Sequence, residues 1–231
     1  MELIIALAAS VLFASLFKVP IKKFPWAFYI LAAIIAAVFA SHILFEVAPM
    51  LSIMLYPYIQ RCLIGFGLIA VVMFIGVFSE KSRIYIYFIP IRGELSIIGG
   101  ILTLGHVLNY LNAYLKQMLS GFVGMAPIMI ISFMISFILI LMLIALTITS
   151  FTTIKKRMRT SSWRRLQLLA YPFFILIYFH LFFILAPANF SWGSKASISI
   201  GLYTVIIVSY IVLRIRRALV DRKRSELLSS K

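Results

Sequence analysis

The 231-residue sequence has few charged residues and very few acidic ones. Charged side chains form 12% of the chain, whereas about a quarter is typical of a soluble domain. Only 6 residues are Asp or Glu, and 64% of the chain is hydrophobic. This composition excludes an ordinary soluble globular protein and predicts an integral membrane protein. The net charge of +16 is explained by loops on one membrane face, so we expect no nucleic-acid partner.

Cysteine and the signals of soluble domains are equally scarce. The single Cys62 excludes an internal disulfide and any cysteine-based metal cluster. No glycine-rich dinucleotide fingerprint follows a strand-like segment, so no NAD or FAD domain is predicted. The N-terminal stretch MELIIALAASVLFASLF lacks the basic region of a signal peptide, and we expect it to remain as a short membrane span.

Long apolar runs dominate the chain instead. A spanning helix needs about 20 mostly apolar residues, and seven runs approach or reach this length. They lie at about 2–17, 26–47, 61–79, 93–115, 124–149, 166–187 and 196–213. None shows the alternation of a β-barrel strand. The sequence therefore predicts an all-α, polytopic transmembrane helix bundle of about seven helices, or six if the first does not span.

Prolines are expected to mark the ends of these helices. Six should fall in connections or at helix starts, namely Pro20, Pro25, Pro49, Pro57, Pro90 and Pro127. Pro172 lies within the first turns of the sixth helix, and Pro187 is expected to end it.

Basic residues concentrate in four regions, at 18–23, 81–92, 155–165 and 214–231. These regions hold all but three of the 22 basic residues, the exceptions being Arg61, Lys116 and Lys195. A chain that spans seven times brings the four regions to one face, which we call the basic face. Basic loops favour the cytoplasm. We therefore expect a multi-pass protein of the cell membrane with its N-terminus outside and 214–231 as a basic cytoplasmic tail.

Three histidines, His42, His106 and His180, fall inside predicted spans. His106 and His180 each lie 13 residues from the start of their helix at the basic face, which is about 20 Å into the membrane. Two imidazoles at one depth on two helices can ligate both faces of one heme iron. The helix around His106 contains three residues without side chains, Gly99, Gly100 and Gly105. Their small size would leave room for a flat macrocycle.

Purely structural roles for these histidines and glycines stay open. Intramembrane histidines also serve as interhelical hydrogen-bonding groups, worth about 0.6 kcal/mol on average. Glycines in membrane helices are more often close-packing contacts than cofactor space. His42 could be a third ligand candidate, a proton carrier or a structural hydrogen-bonding residue near Ser41 and Glu46, and we favour a structural role or one that supports another site.

Two stretches carry a resemblance to a known family, IRGELSIIGGILTLGHVLNYL at 91–111 and LTITSFTTIKKRMRTSSWRRLQLLAYPFFILIYFHLFFIL at 146–185. They resemble the ferric reductase-like transmembrane domain, and most closely its MsrQ/YedZ-type heme-binding membrane subunits. The matching features are an Arg-led helix with a central His and a following Tyr, a Thr-Ser helix end, a basic loop, a Trp-x-x-Leu element and a second His. In this chain those are Arg92, His106, Tyr110, Thr149, Ser150, Trp163, Leu166 and His180.

The resemblance implies a heme domain at 61–213, with 1–60 as N-terminal helices outside the core resemblance. The chain departs from the family at Gln167, where the family has a His, so the resemblance implies one b-type heme held by His106 and His180. Gln167 could instead contact a flavin or quinone head group beside the arginines of the basic loop.

The implied activity is transmembrane electron transfer. A separate cytoplasmic flavin or nicotinamide donor, or a membrane quinol, would supply electrons. A separate extracytoplasmic partner, either a reductase or ferric iron, would accept them. The chain would thus be the membrane subunit of an oxidoreductase system.

The alternative is a channel, transporter subunit or assembly factor with structural histidines. An intramembrane metalloprotease is disfavoured because HExxH is missing.

Overall fold

The computed structural model describes residues 2–186 and 195–229, which form helices joined by short turns and contain no strand. This confirms the predicted all-α class. The helices are α1 (Glu2–Leu16), α2 (Lys18–Lys23), α3 (Pro25–Ala40), α4 (Ile43–Val47), α5 (Pro49–Ile59), α6 (Leu63–Ile75), α7 (Arg83–Phe88), α8 (Arg92–Leu119), α9 (Pro127–Ser150), α10 (Thr152–Arg157), α11 (Thr160–Gln167), α12 (Ala170–Leu185) and α13 (Lys195–Ser229).

Five helical segments are long and apolar enough to cross a membrane, as expected of a helical membrane bundle. They are Pro49–Ile75, Arg83–Leu119, Pro127–Ser150, Thr160–Leu185 and Lys195–Lys223. The apolar helices α1 and α3 are shorter, with 15 and 16 residues. At about 1.5 Å per residue, each falls short of a hydrocarbon core of roughly 30 Å. The count of seven spans stays a prediction.

Two predicted spans have different boundaries in the structure. The run at 26–47 is interrupted after α3 because His42 adopts a left-handed conformation, with φ of 58°. The run at 61–79 contains α6, which is shorter and continues the line of α5 after a break at Cys62, where φ is 62°. Pro57 lies inside α5 rather than in a connection, so that prediction was wrong.

The remaining boundaries lie closer to the prediction. Helices α8 and α9 agree with the predicted fourth and fifth spans to within a few residues. Pro172 is the third residue of α12, as expected, whereas Pro187 lies outside the described residues. The polar tail is helical through Ser229, because α13 continues without a break.

Small residues hold the central helices close together. Helix α6 packs against α1 and α8, and α8 packs against α3, α6 and α9. Gly67 of α6 lies directly against Ser10 of α1, and Gly100 of α8 lies directly against Thr147 of α9. Lipid chains are as apolar as the helices, so close packing of this kind, rather than hydrophobic burial, holds membrane helices together.

The four basic regions lie at one end of the bundle. Tyr87 of α7 donates a hydrogen bond to the Ser15 carbonyl at 3.0 Å, and Lys18 lies 3.7 Å from the Tyr87 ring. Trp26, at the start of α3, packs against Phe151, next to α10, with ring centroids 5.9 Å apart. Arg214 of α13 donates a hydrogen bond to the Gly76 carbonyl at the end of α6. The basic face is therefore one surface of the fold, and its cytoplasmic location stays a prediction.

Candidate functional site

His106 of α8 is bound to the break between α5 and α6. Its Nδ1 lies 2.5 Å from the backbone carbonyl oxygen of Gln60. In a continuous helix this carbonyl would accept from the N–H of Ile64, but Cys62 interrupts the helix and frees it. A carbonyl oxygen can only accept, so Nδ1 of His106 carries the hydrogen and Nε2 keeps a lone pair.

The side chain of Gln60 belongs to the same polar cluster. It is 1% exposed, and its Nε2 donates to Oδ1 of Asn109 at 2.9 Å and to the Phe39 carbonyl at 3.3 Å. Its Oε1 has no hydrogen-bond partner within the described residues. The Tyr110 ring lies 5.0 Å from the His106 ring, centroid to centroid. These contacts fix the end of α5 against α8.

His180 of α12 is bound by two serines one turn apart on α9. Nδ1 of His180 lies 3.0 Å from the hydroxyl oxygens of both Ser132 and Ser136. The Ser132 hydroxyl donates to the His180 carbonyl, and the Ser136 hydroxyl donates to the Ser132 carbonyl, each at 2.9 Å. Each hydroxyl has only one hydrogen, so both oxygens act as acceptors toward Nδ1. His180 therefore has the same tautomer as His106.

The two imidazoles belong to one region of the bundle. Helices α8 and α12 both pack against α6 and α9. Tyr114, two turns beyond His106 on α8, donates a hydrogen bond to the Phe133 carbonyl of α9, next to Ser132. Both histidine side chains are partly buried. Neither Nε2 has a hydrogen-bond partner in the described part of the chain. No group of three or more His, Cys, Asp or Glu residues there could hold a metal ion. The two Nε2 atoms are the candidate ligand atoms that these histidines offer.

Gly99 and Gly105 face neighbouring helices. A Cβ at Gly99 would lie 3.2 Å from Cβ of Leu68 on α6. One at Gly105 would lie 2.6 Å from Cβ of Ala36 on α3. Close helix packing thus accounts for both glycines.

Gln167 forms a hydrogen bond with the C-terminal end of α9. Its Nε2 donates to Oγ1 of Thr149 at 3.1 Å, and Nε1 of Trp163 donates to the Thr149 carbonyl at 2.9 Å. Lys155 lies 4.3 Å from the Trp163 ring. The amide of Gln167 therefore ties α11 to the last turn of α9.

His42 lies in the turn between α3 and α4. It precedes α4 in the left-handed conformation, is exposed and contacts the Phe45 ring at 6.2 Å between centroids. The structural or supporting role that we favour for His42 stays a prediction.

Sequence reasoning missed the acceptors of both histidines. Ser132 and Ser136 are four residues apart in an apolar helix, and this spacing alone predicts one shared polar face. The Gln60 carbonyl gave no such signal, because a backbone atom becomes available only where the helix breaks.

Comparison with known proteins gives one partial relative and no family. No family model matches the chain, and no solved structure matches it. A Treponema pallidum (strain Nichols) protein described as uncharacterized is 38% identical over 133 residues. The match covers 58% of this chain and 37% of that protein, so the chain spans well under half the length of its relative.

Proposed function

We propose that the protein binds one b-type heme between His106 and His180 and transfers electrons across a membrane. The observation that carries this proposal is the shared hydrogen-bonding state of the two imidazoles. Each Nδ1–H is donated to protein oxygen, and each Nε2 keeps a lone pair without a partner in the described residues. Metal-ligating histidines usually have this arrangement, in which the second nitrogen donates to a carbonyl or similar acceptor.

The chain itself supplies orientation and a dry environment. The Gln60 carbonyl and the two α9 serines fix the planes of the imidazoles and hold their Nδ1 protons. The helices that carry and contact them are apolar enough to cross a membrane, where the surrounding lipid would limit water access. A bound heme would supply a one-electron redox centre.

The electron donor and acceptor are proposed to be separate partners. The donor would be a flavin or nicotinamide protein at the basic face, or a membrane quinol. The acceptor would be a redox protein or ferric iron at the opposite face. This would make the chain the membrane subunit of an oxidoreductase system, in line with its resemblance to ferric reductase-like domains.

A second candidate function is a membrane protein without a redox cofactor, in which the histidines only join helices. The contacts of Gly99 and Gly105 favour it, because neighbouring helices fill the space beside both glycines. In this case His106 would serve to tie α8 to α5, and His180 would tie α12 to α9.

Heme content of purified variants separates the two candidates. The full chain is expressed with ample heme as wild type, His106→Ala, His180→Ala and the matched control His42→Ala, and bound heme per protein is measured. We expect about one heme in wild type and His42→Ala and almost none in the other two, because each loses an axial ligand. Heme-free wild type that is folded and monodisperse would support the structural role instead.

A further inference from the structure

Two arginines from distant parts of the chain meet at the C-terminal end of α6. Arg92, the first residue of α8, donates from Nε to the Val72 carbonyl at 3.2 Å. Arg214 of α13 donates from Nη1 to the Gly76 carbonyl at 3.4 Å. Nη2 of Arg92 lies 3.6 Å from the position that a Cβ would take at Gly76. Both guanidinium groups therefore flank the same turn.

The positive charge of this pair is poorly compensated. Arg92 and Arg214 are both partly buried, and neither pairs with a carboxylate within the described residues. The α6 C-terminus offers roughly half a negative charge through its helix dipole. Two full positive charges beside about half a negative one attract an anion.

Both side chains keep donors that the fold does not use. The two terminal nitrogens of Arg92 make no hydrogen bond in the described part of the chain, and the same is true of Nε and Nη2 of Arg214. Arg214 is held in place by the Tyr171 ring, 5.1 Å from its guanidinium carbon. An arginine fork matches the oxygen atoms of a phosphate group and binds them through two parallel hydrogen bonds.

We propose that Arg92 and Arg214 form a phosphate-binding site at the basic face, independent of the proposed heme function. The ligand is a phosphate group, carried either by an anionic lipid or by a free phosphate. Aromatic side chains near this end, including Tyr171 and Trp163, are typical of the level of lipid head groups. Basic pockets between membrane helices bind anionic head groups by the same chemistry.

The test uses the delipidated full chain in detergent as wild type, Arg92→Gln, Arg214→Gln and Arg216→Gln. Arg216 is an exposed arginine two residues beyond Arg214 on the same helix, so its substitution removes the same charge outside the site. One arm measures phosphatidylglycerol and phosphatidylcholine binding by native mass spectrometry. The other measures thermal stabilisation by inorganic phosphate against chloride at equal ionic strength.

We expect phosphatidylglycerol to bind more tightly than phosphatidylcholine, with about tenfold weaker binding in each site variant and little change in Arg216→Gln. Stabilisation by inorganic phosphate that is lost in the same two variants, without a lipid preference, identifies free phosphate as the ligand and also supports the site. Equal losses of binding in Arg216→Gln and in the two site variants would overturn the proposal. Unchanged binding in both Arg92→Gln and Arg214→Gln would also overturn it.

Lysine variants keep the test decisive if a glutamine variant does not fold. Arg92→Lys and Arg214→Lys retain the charge beside the α6 C-terminus but lose the fork. Weaker phosphate or phosphatidylglycerol binding in these folded variants supports the site, and unchanged binding overturns it.

Discussion

The hydroxyls of Ser132 and Ser136 decide the state of His180 because each donates its only hydrogen to a backbone carbonyl. Their oxygens are left as acceptors, so the imidazole must supply the hydrogen from Nδ1. A hydrogen bond of this kind makes Nε2 a stronger electron donor to a bound metal. The two serines are therefore positioning residues that would tune the proposed heme.

If the proposed heme is bound, replacing both serines should raise its midpoint potential. In Ser132→Ala/Ser136→Ala, Nδ1 of His180 keeps only the more distant Ser132 carbonyl at 3.3 Å. A less electron-rich imidazole stabilises ferric iron less, so we expect a shift of about 40 mV for each kcal/mol of lost stabilisation. Potentiometric titration measures it. The control is Ser199→Ala, whose hydroxyl bonds to the Lys195 carbonyl within α13, and it should not shift.

A substitution at Gly105 tests the packing of α3 on α8. Gly105→Ala should destabilise the protein by about 1–3 kcal/mol, because the new methyl group would overlap Ala36. Gly201→Ala on α13 is the matched control. Nothing lies within 4 Å of its added carbon, so we expect a gain of up to about 1 kcal/mol from helix propensity. Thermal unfolding in detergent compares them, and equal effects would contradict this packing.

At the scale of helices, the break at Cys62 links the fold to the candidate site. Helix α5 ends at Ile59 and α6 begins at Leu63, so the Gln60 carbonyl is free to accept from His106. Cys62 occupies the left-handed region that L-residues adopt at a cost of about 1–2 kcal/mol. Contacts with α8 must offset this cost.

Substitutions at Cys62 test the break directly. Cys62→Gly adopts the left-handed conformation freely, whereas Cys62→Val opposes it because valine is β-branched. We expect the valine variant to be less stable than the glycine variant by about 1–2 kcal/mol in thermal unfolding. Equal stability of the two would mean that the left-handed conformation does not exist in solution.

The sequence predicted helices well where one apolar run became one helix, as in α8 and α9. It failed at His42 and Cys62, where apolar character continues on both sides of a break. Neither break occurs at glycine or proline, the residues that usually mark one. The structure joins the Cys62 break to α8 through His106, Gln60 and Asn109, and single-sequence periodicity contains no information about such contacts between distant helices.

At the scale of the whole molecule, the basic face gathers four separate regions of the chain. The contacts of Lys18, Trp26 and Arg214 lie at the same end of the bundle. The opposite end has the ion pair between Arg61 and Glu2, with a separation of 3.8 Å. This uneven charge predicts a single orientation in a membrane.

Cysteine labelling tests that orientation. In a Cys62→Ser background, one cysteine replaces exposed Ser161 at the basic face or exposed Ser120 after α8. An impermeant maleimide on intact cells should label Ser120→Cys and should label Ser161→Cys only after the membrane is opened. The reverse result would contradict a cytoplasmic basic face.

The candidate site was only partly predictable from the sequence. His106 and His180 stood out because polar residues are rare in such runs. The acceptors of both histidines emerged only from the structure, as did the packing of Gly99 and Gly105 against neighbouring helices. Each Nε2 keeps a lone pair that no other described residue uses, and this feature supports the proposed heme ligation.

The most direct test of that assignment is the absorption spectrum of the purified full chain, oxidised and then reduced with dithionite. A low-spin Soret band with sharp reduced α and β bands is expected if His106 and His180 both ligate heme iron. A folded protein that stays colourless after expression with ample heme would contradict the heme assignment, and the two histidines would then be structural links between helices.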